Sequence, residues 1–202
     1  MITVYQLKTA FQNQLRPLVR MLAEAGVTAN QVTVAALLLS SAFGLLLYFS
    51  NFAPWALFGL PIILFVRMGL NAIDGMLAKE HDMQSSLGAI LNELGDVLSD
   101  TALYLPFAAL PGIRPALVVF FVIAAIISEM TGVISVQIKA SRRYDGPMGK
   151  SDRAVVFGLL GILMGFGLRP GTWFDILMGI MLLLCVLTIV NRARGALNET
   201  AS

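Results

Sequence analysis

Long apolar runs alternate with short polar breaks along this chain of 202 residues. Most of the runs are long enough to cross about 30 Å of hydrocarbon as an α-helix, and the fifth is the shortest. The breaks contain helix-stopping residues such as Asn51, Pro111 and Gly112, and they leave no room for a second domain. The pattern predicts an all-α integral membrane protein with a single domain over residues 1–202 and a six-helix bundle over 31–190. The runs cover residues 31–50, 54–73, 88–110, 115–138, 154–168 and 172–190.

The segment before the first run has a different pattern, in which apolar residues recur at helical spacing among polar ones. This spacing predicts an amphipathic helix over residues 1–20 that lies on the membrane surface. A helix packed against the bundle explains the pattern equally well. At the other end, residues 191–202 are predicted to form a cytoplasmic tail. The apolar positions of the N-terminal helix are Val4, Leu7, Phe11, Leu15 and Leu18.

Composition and charge define the setting further. Hydrophobic residues make up 57% of the chain and charged residues 13%, which exceeds what the core of a soluble domain needs. The formal net charge of +2 is too small to indicate a nucleic-acid partner. Basic residues concentrate on one side of the six-helix arrangement, so the positive-inside rule places both termini and the loops 79–87 and 139–153 in the cytoplasm. Basic residues on that side include Lys8, Arg16, Arg20, Lys79, Lys139, Arg142, Arg143, Lys150, Arg153, Arg192 and Arg194, whereas Arg114 and Arg169 lie on the other.

Carboxylates and carboxamides occur in the second and third predicted spans, which are otherwise apolar. These two spans form an antiparallel hairpin around a turn at residues 81–85, so the numbers of facing residues add to a nearly constant value. Three polar pairs have sums of 166 or 167, which predicts three polar levels at successive depths. The pairs are Asp74 with Asn92, Asn71 with Asp96, and Arg67 with Asp100.

The two outer levels predict a divalent metal site. Asp74, Asp96, Asn71 and Asn92 all offer oxygen donors, which suit hard ions such as Mg²⁺, Mn²⁺ or Ca²⁺. Polar groups of this kind are costly inside a membrane and usually serve a function. Hydrogen bonds between the two helices are the structural alternative.

The deepest level has a different character. Arg67 in the middle of a span is best explained by a carboxylate partner, and Asp100 is predicted to form a structural ion pair with it. Glu129, in the fourth span, fits either an interhelical hydrogen bond or a position lining the cavity, and the structural interpretation is favoured.

A second polar segment, residues 139–153, precedes the fifth span. Its basic side chains could bind the phosphate of an acceptor or a lipid headgroup, and anchoring of the loop to anionic lipid is an equally good explanation. The residues concerned are Arg142, Arg143, Lys150 and Arg153.

The segment from residue 71 to residue 96 resembles the signature of the CDP-alcohol phosphotransferase family, Asp-x2-Asp-Gly-x2-Ala-Arg-x8-Gly-x3-Asp-x3-Asp, without a gap in spacing. Asn71, Lys79 and Asn92 stand where the family has Asp, Arg and Asp. The segment Thr28 to Thr33 resembles the family's Thr-Pro-Asn-x-x-Thr, so the similarity covers nearly the whole chain. The matching signature positions are Asp74, Gly75, Ala78, Gly88 and Asp96.

The resemblance implies transfer of a substituted phosphate from a CDP-linked donor, often CDP-diacylglycerol, to an alcohol, with release of CMP. It implies that Asp96 is the base for the acceptor hydroxyl, that Asp74 is the firmest metal ligand, and that the protein is a homodimer among membrane lipids. Because two Asn replace two Asp, we expect one firm site for Mg²⁺ or Mn²⁺, with Ca²⁺ as a further candidate. The donor would be bound by Gly75, Ala78, Lys79 and Gly88.

Two other functions compete with this prediction. Asn71 and Asn92 stand where the family has carboxylates, and this difference favours a degenerate scaffold that binds a CDP-lipid or nucleotide without turnover. A small-solute transporter also fits six helices with buried charge, but the chain shows neither an internal repeat nor a pair of interrupted helices.

Overall fold

All regular structure in the described part of the chain is helical, which confirms the all-α fold class. The computed structural model describes the backbone of residues 4–201 and the side chains of residues 10–201. The first three residues of the predicted N-terminal amphipathic helix, and the side chains of Val4 and Leu7, lie outside this range. The α-helices are α1 (Val4–Glu24), α2 (Ala29–Phe49), α3 (Pro54–Glu80), α4 (Ser86–Tyr104), α5 (Pro115–Ile134), α6 (Lys150–Gly165) and α7 (Thr172–Ala201).

Each predicted apolar run corresponds to one of the helices α2 to α7, and the differences lie at helix ends. The third run continues beyond α4 as a 3₁₀ segment, Leu105–Ala109, because Pro106 cannot donate the next α-helical hydrogen bond. A second 3₁₀ segment, Ser135–Ile138, follows α5. The last helix, α7, continues to Ala201 through most of the residues assigned to a cytoplasmic tail. The turn between α3 and α4 lies where the sequence predicts it.

Four of the described helical segments are long and apolar enough to cross a membrane, which supports an integral membrane protein. The helix α4 is less apolar because it carries Asn92, Glu93, Asp96 and Asp100. The helix α6 has 16 residues, which span about 24 Å and fall short of the hydrocarbon thickness. The four segments are Ala29–Phe49, Pro54–Glu80, Pro115–Ile138 and Thr172–Ala201.

The chain divides into two compact units, and the first comprises residues 1–41 and 63–99. Its apolar core joins α1, α2 and α3. The helix α1 enters this core through Val19, which is fully buried, and Arg16 forms a 3.0 Å ion pair with Glu80 at the end of α3. Packing against the bundle was one of the two predictions for this helix, and its position on a membrane surface stays a prediction. The buried core residues are Val19, Ala29, Val32, Ile73, Met76 and Leu77.

The second unit comprises residues 42–62 and 100–202, and aromatic side chains form much of its core. The ring of Tyr104 stacks on Phe157 with centroids 4.1 Å apart, and Phe107 contacts Phe157 edge-on at 5.0 Å. Gly161 lets α6 approach α3 closely, since a Cβ there would lie 2.7 Å from the carbonyl oxygen of Leu57.

Candidate active site

Asp74, on the last third of α3, is a buried carboxylate in the first unit. Its side chain accepts a 2.8 Å hydrogen bond at Oδ2 from the hydroxyl of Thr33 on α2. Only 5% of Asp74 and 8% of Thr33 is exposed. Because burial of an ionised carboxylate is costly without such partners, the contact stabilises Asp74 in one orientation.

Asp96 is the second buried carboxylate of this unit and lies on α4. Its Oδ1 accepts hydrogen bonds from Nδ2 of Asn71 at 2.8 Å and from Nη2 of Arg67 at 3.3 Å. The same guanidinium nitrogen also donates to the main-chain oxygen of Asp96 at 3.0 Å. The bond from Asn71 to Asp96 confirms the predicted register of the α3–α4 hairpin at its middle level.

The pairs predicted at the deepest and the outermost level stay predictions. Arg67 contacts Asp96, one turn before its predicted partner Asp100, and the ion pair between Arg67 and Asp100 stays a prediction. The facing of Asp74 and Asn92 likewise stays a prediction. Asn92 is half-buried on α4, in the same unit as Asp74.

The first unit contains all four oxygen donors that the sequence predicts for a divalent cation. Among the side chains described, no three His, Cys, Asp or Glu residues lie together in an arrangement that could hold a metal ion. Asp74 and Asp96 supply carboxylate oxygens, and Asn71 and Asn92 supply amide oxygens, which are hard ligands. Burial of both carboxylates limits competition from bulk water.

The two signature glycines have different surroundings. A Cβ at Gly88 would lie 2.7 Å from Oδ1 of Asn30 and 3.0 Å from Oγ of Ser85, so Gly88 permits close packing against the start of α2. A Cβ at Gly75 would have no neighbouring atom within 4 Å. Of the other predicted donor-binding residues, Lys79 is exposed and Ala78 is half-buried.

The different surroundings of Gly75 and Gly88 predict that an alanine affects donor binding at the first position and stability at the second. We expect Gly75→Ala to fold normally, and to raise the KM for the donor about tenfold if the nucleotide approaches the backbone there. Gly88→Ala should lower the thermal stability instead, because Asn30 must move. Melting temperatures and donor titrations of both variants check this expectation, and an unchanged KM in Gly75→Ala would remove Gly75 from the donor site.

A network of buried charges, which we call the arginine–carboxylate cluster, lies in the second unit. Arg153 donates to Oδ2 of Asp100 at 2.8 Å and to Oε1 of Glu129 at 3.0 Å. Glu129 also pairs with Nη1 of Arg192 at 3.2 Å and with Nη2 of Arg142 at 3.9 Å. Arg153 and Arg192 are almost completely buried. Asp100, Glu129, Arg142, Arg153 and Arg192 therefore form one continuous network.

The loop before α6 is held by α7. Arg143 pairs with Asp145 at 2.7 Å and with Glu199 at 2.8 Å. The hydrogen bond from Arg143 lowers the pKa of Asp145. This hydrogen bond therefore stabilises the fold above the pKa that Asp145 has in the unfolded chain, and the stabilisation is lost as the pH falls through the lower pKa of the folded protein. Since both acids are partly exposed, that contribution is small.

The four basic residues predicted to bind an acceptor or headgroup differ in exposure. Arg153 is buried and doubly paired, whereas the side chains of Arg142 and Arg143 are each 23% exposed. Arg142 also stacks over the ring of Tyr144, with its guanidinium carbon 4.6 Å from the centroid. Lys150, at the start of α6, is half-buried.

Thr33 and Arg192 take part in these contacts, although the sequence predicts no role in the site for either of them. Thr33 belongs to the segment that resembles a family motif, so its proximity to Asp74 had a local signal. The sequence pattern places Arg192 only among the basic residues on the predicted cytoplasmic side. Its contact with Glu129 joins positions far apart in sequence and has no signal in the hydrophobic pattern.

The fold and the first unit together define an all-helical integral membrane protein with two buried carboxylates on adjacent helices. Buried carboxylates within a motif of fixed spacing are a feature by which a protein family can be recognised. The chain belongs to the CDP-alcohol phosphatidyltransferase family, whose model matches residues 26–190.

Two relatives match this chain over most of its length. The chain is 46% identical over 200 residues to the inner membrane protein YnbA of Escherichia coli, covering 99% of each chain. It is 27% identical over 199 residues to the phosphatidylinositol phosphate synthase of Mycolicibacterium smegmatis, covering 93% of this chain and 86% of the relative.

Solved structures share the fold. Two crystal structures of the phosphatidylinositol phosphate synthase of Mycobacterium tuberculosis, each 21% identical, match with a TM-score of 0.71. One has CDP-DAG bound, and the match covers 92% of both chains. The other holds manganese and citrate, and the match covers 89% of this chain and 87% of that one.

Proposed function

We propose that this protein transfers a phosphatidyl group from a CDP-linked lipid, such as CDP-diacylglycerol, to an alcohol and releases CMP. The observation that carries the proposal is the pair of buried carboxylates Asp74 and Asp96, each held by side-chain hydrogen bonds, within the family signature. The CDP-DAG bound to the mycobacterial relative supports the donor class. None of the comparisons supports the degenerate scaffold.

The metal would be held by Asp74 and Asp96, with Asn71 and Asn92 as further oxygen donors. When bound, a divalent ion supplies positive charge that stabilises the pyrophosphate as the CMP oxygen leaves. The manganese in the structure of the relative supports this cofactor. With only two carboxylates in the set, we propose one firm site for Mg²⁺ or Mn²⁺.

Asp96 is assigned as the base that accepts the proton of the acceptor hydroxyl. Its Oδ1 accepts hydrogen bonds from Asn71 and Arg67, which hold the carboxylate in one orientation. Arg67 anchors α4 through the main-chain oxygen of Asp96. Gly75, Ala78, Lys79 and Gly88 would bind the donor.

The acceptor alcohol or its headgroup would be bound by Arg142, Arg143, Lys150 and Arg153. The partial exposure of Arg142 supports this role better than the burial of Arg153 does. Arg142 offers a planar guanidinium that suits a phosphate oxygen pair.

In the membrane, we propose six spanning helices, α2 to α7, with both termini and the active site facing the cytoplasm. The distribution of basic residues supports this orientation. The 3₁₀ extension of α4 and the loop after α6 would complete the two segments that are shorter or more polar than the other four. We further propose that the protein is a homodimer, as the family resemblance implies.

The test is CMP release by the purified protein from CDP-diacylglycerol, with a pool of candidate alcohols and Mg²⁺, Mn²⁺ or Ca²⁺ in turn. We expect metal-dependent CMP release that Asp74→Ala reduces by about 10²-fold or more, since it removes a charged ligand. Dividing the pool then identifies the acceptor. Binding of the CDP-lipid without CMP release under any metal would contradict the proposal and restore the binding-only scaffold.

A further inference from the structure

The hydroxyl of Thr33 is directed at the carboxylate of Asp74 rather than only at its own helix. Its Oγ1 lies 2.8 Å from Oδ2 of Asp74 and 3.1 Å from the carbonyl oxygen of Ala29. A hydroxyl has one proton to donate, and a carboxylate is a stronger acceptor than a peptide carbonyl. The shorter contact therefore describes the hydrogen bond that Thr33 makes.

We infer that Thr33 is a positioning residue that presents Asp74 to the metal through one oxygen and thereby favours Mg²⁺ and Mn²⁺ over Ca²⁺. The inference rests on the proposed role of Asp74 as a metal ligand. It adds a determinant of metal choice on α2, outside the helices that carry the signature.

The physical basis is the difference in how these ions use carboxylates. Ca²⁺ accepts six to eight oxygens and often binds both oxygens of one carboxylate, whereas Mg²⁺ requires compact octahedral geometry. A hydrogen bond on Oδ2 fixes the rotation of the Asp74 carboxylate and opposes two-oxygen binding. Partners of this kind typically change metal affinity by 10- to 100-fold.

A second hydroxyl on the same helix shows that this arrangement is specific to Thr33. Ser40 is completely buried, and its Oγ donates to the carbonyl oxygen of Ala36 in its own helix at 2.7 Å. A buried hydroxyl on α2 can thus be satisfied by its own backbone. The contact of Thr33 with Asp74 is an additional feature, and Ser40 provides a matched control.

The packing around the methyl group of Thr33 allows a variant that removes only the hydrogen bond to Asp74. A Cβ at Gly95 on α4 would lie 3.4 Å from Cγ2 of Thr33, an ordinary van der Waals distance, so α4 passes close to the methyl group of Thr33. Valine, which has nearly the same shape, would keep the packing and remove only the hydrogen bond.

The test measures binding of metal alone to the purified full-length protein. Free Mn²⁺ is titrated by electron paramagnetic resonance, and Ca²⁺ is titrated as a competitor. We expect Thr33→Val to weaken Mn²⁺ binding about tenfold, and to weaken Ca²⁺ binding less or not at all, so the preference for Mn²⁺ falls. Thr33→Ser should restore the wild-type preference, and Ser40→Ala should leave it unchanged.

An unchanged Mn²⁺ affinity in Thr33→Val, or equal loss of both ions, would overturn the inference. If Thr33→Val does not fold, Thr33→Ala carries the same comparison with a smaller side chain. CMP release is measured separately, which distinguishes the two proposals. Thr33-dependent metal preference without CMP release in the wild type would contradict the transferase alone. CMP release with a preference independent of Thr33 would contradict the positioning role alone.

Discussion

The Asp96→Asn variant should release CMP about 10³-fold more slowly than the wild type while folding normally. A general base contributes typically 10²- to 10⁴-fold to a rate, and asparagine can accept no proton at the corresponding position. The fold should survive because the carboxamide oxygen can still accept the hydrogen bonds that Asn71 and Arg67 donate to Oδ1. The measurement is kcat under saturating metal, donor and acceptor, which separates loss of the base from weakened metal binding.

The matched control is Asp82→Asn in the turn between α3 and α4. Asp82 is exposed and has a φ of 54°, a conformation that asparagine also adopts readily. We expect this variant to keep the wild-type rate. Full activity in Asp96→Asn would show that the assigned base is wrong and would direct the search to another proton acceptor.

Replacement of Arg153 should have the largest effect on stability. We expect Arg153→Gln to destabilise the protein by about 3–5 kcal/mol, because removal of one partner leaves buried charges uncompensated. Arg153 is 1% exposed, and its loss would deprive both Asp100 and Glu129 of a guanidinium within 3.0 Å. Thermal unfolding of the detergent-solubilised protein measures this effect, together with the yield of folded protein.

Arg143→Gln provides the comparison. Arg143 also pairs with two carboxylates, but Asp145 and Glu199 are partly exposed, so its loss should lower the melting temperature much less than the loss of Arg153 does. A wild-type melting temperature for Arg153→Gln, together with a raised KM for the acceptor, would contradict the stability prediction. It would instead support the role in acceptor binding that the sequence predicts for Arg153.

The middle level of the α3–α4 hairpin could be predicted because it depends on local geometry alone. A short turn joins two regular helices, so the helical repeat fixes which positions face each other. Asn71 and Asp96 accordingly form the predicted contact at 2.8 Å. The same reasoning identified the buried carboxylates, since acidic residues stand out in an apolar run.

Contacts of long side chains could not be predicted in this way. The facing rule pairs Arg67 with Asp100, and this pair stays a prediction. The rule does not supply the contacts of the Arg67 guanidinium with the side chain and main-chain oxygen of Asp96, because a long flexible side chain can reach more than one level. The contact of Arg192 with Glu129 depends on how α5 and α7 pack. The hydrophobic pattern places both helices in a membrane but does not fix which faces meet.

The attachment of the loop before α6 to Glu199 has a practical consequence for handling the protein. Both the main-chain nitrogen and the hydroxyl of Ser141 donate to Glu199 at 2.8 Å, as does Arg143. Affinity tags or fluorescent reporters placed downstream of α7 should therefore be joined through a flexible spacer. Trimming the chain before Glu199 to aid crystallisation would release the loop that carries Arg142.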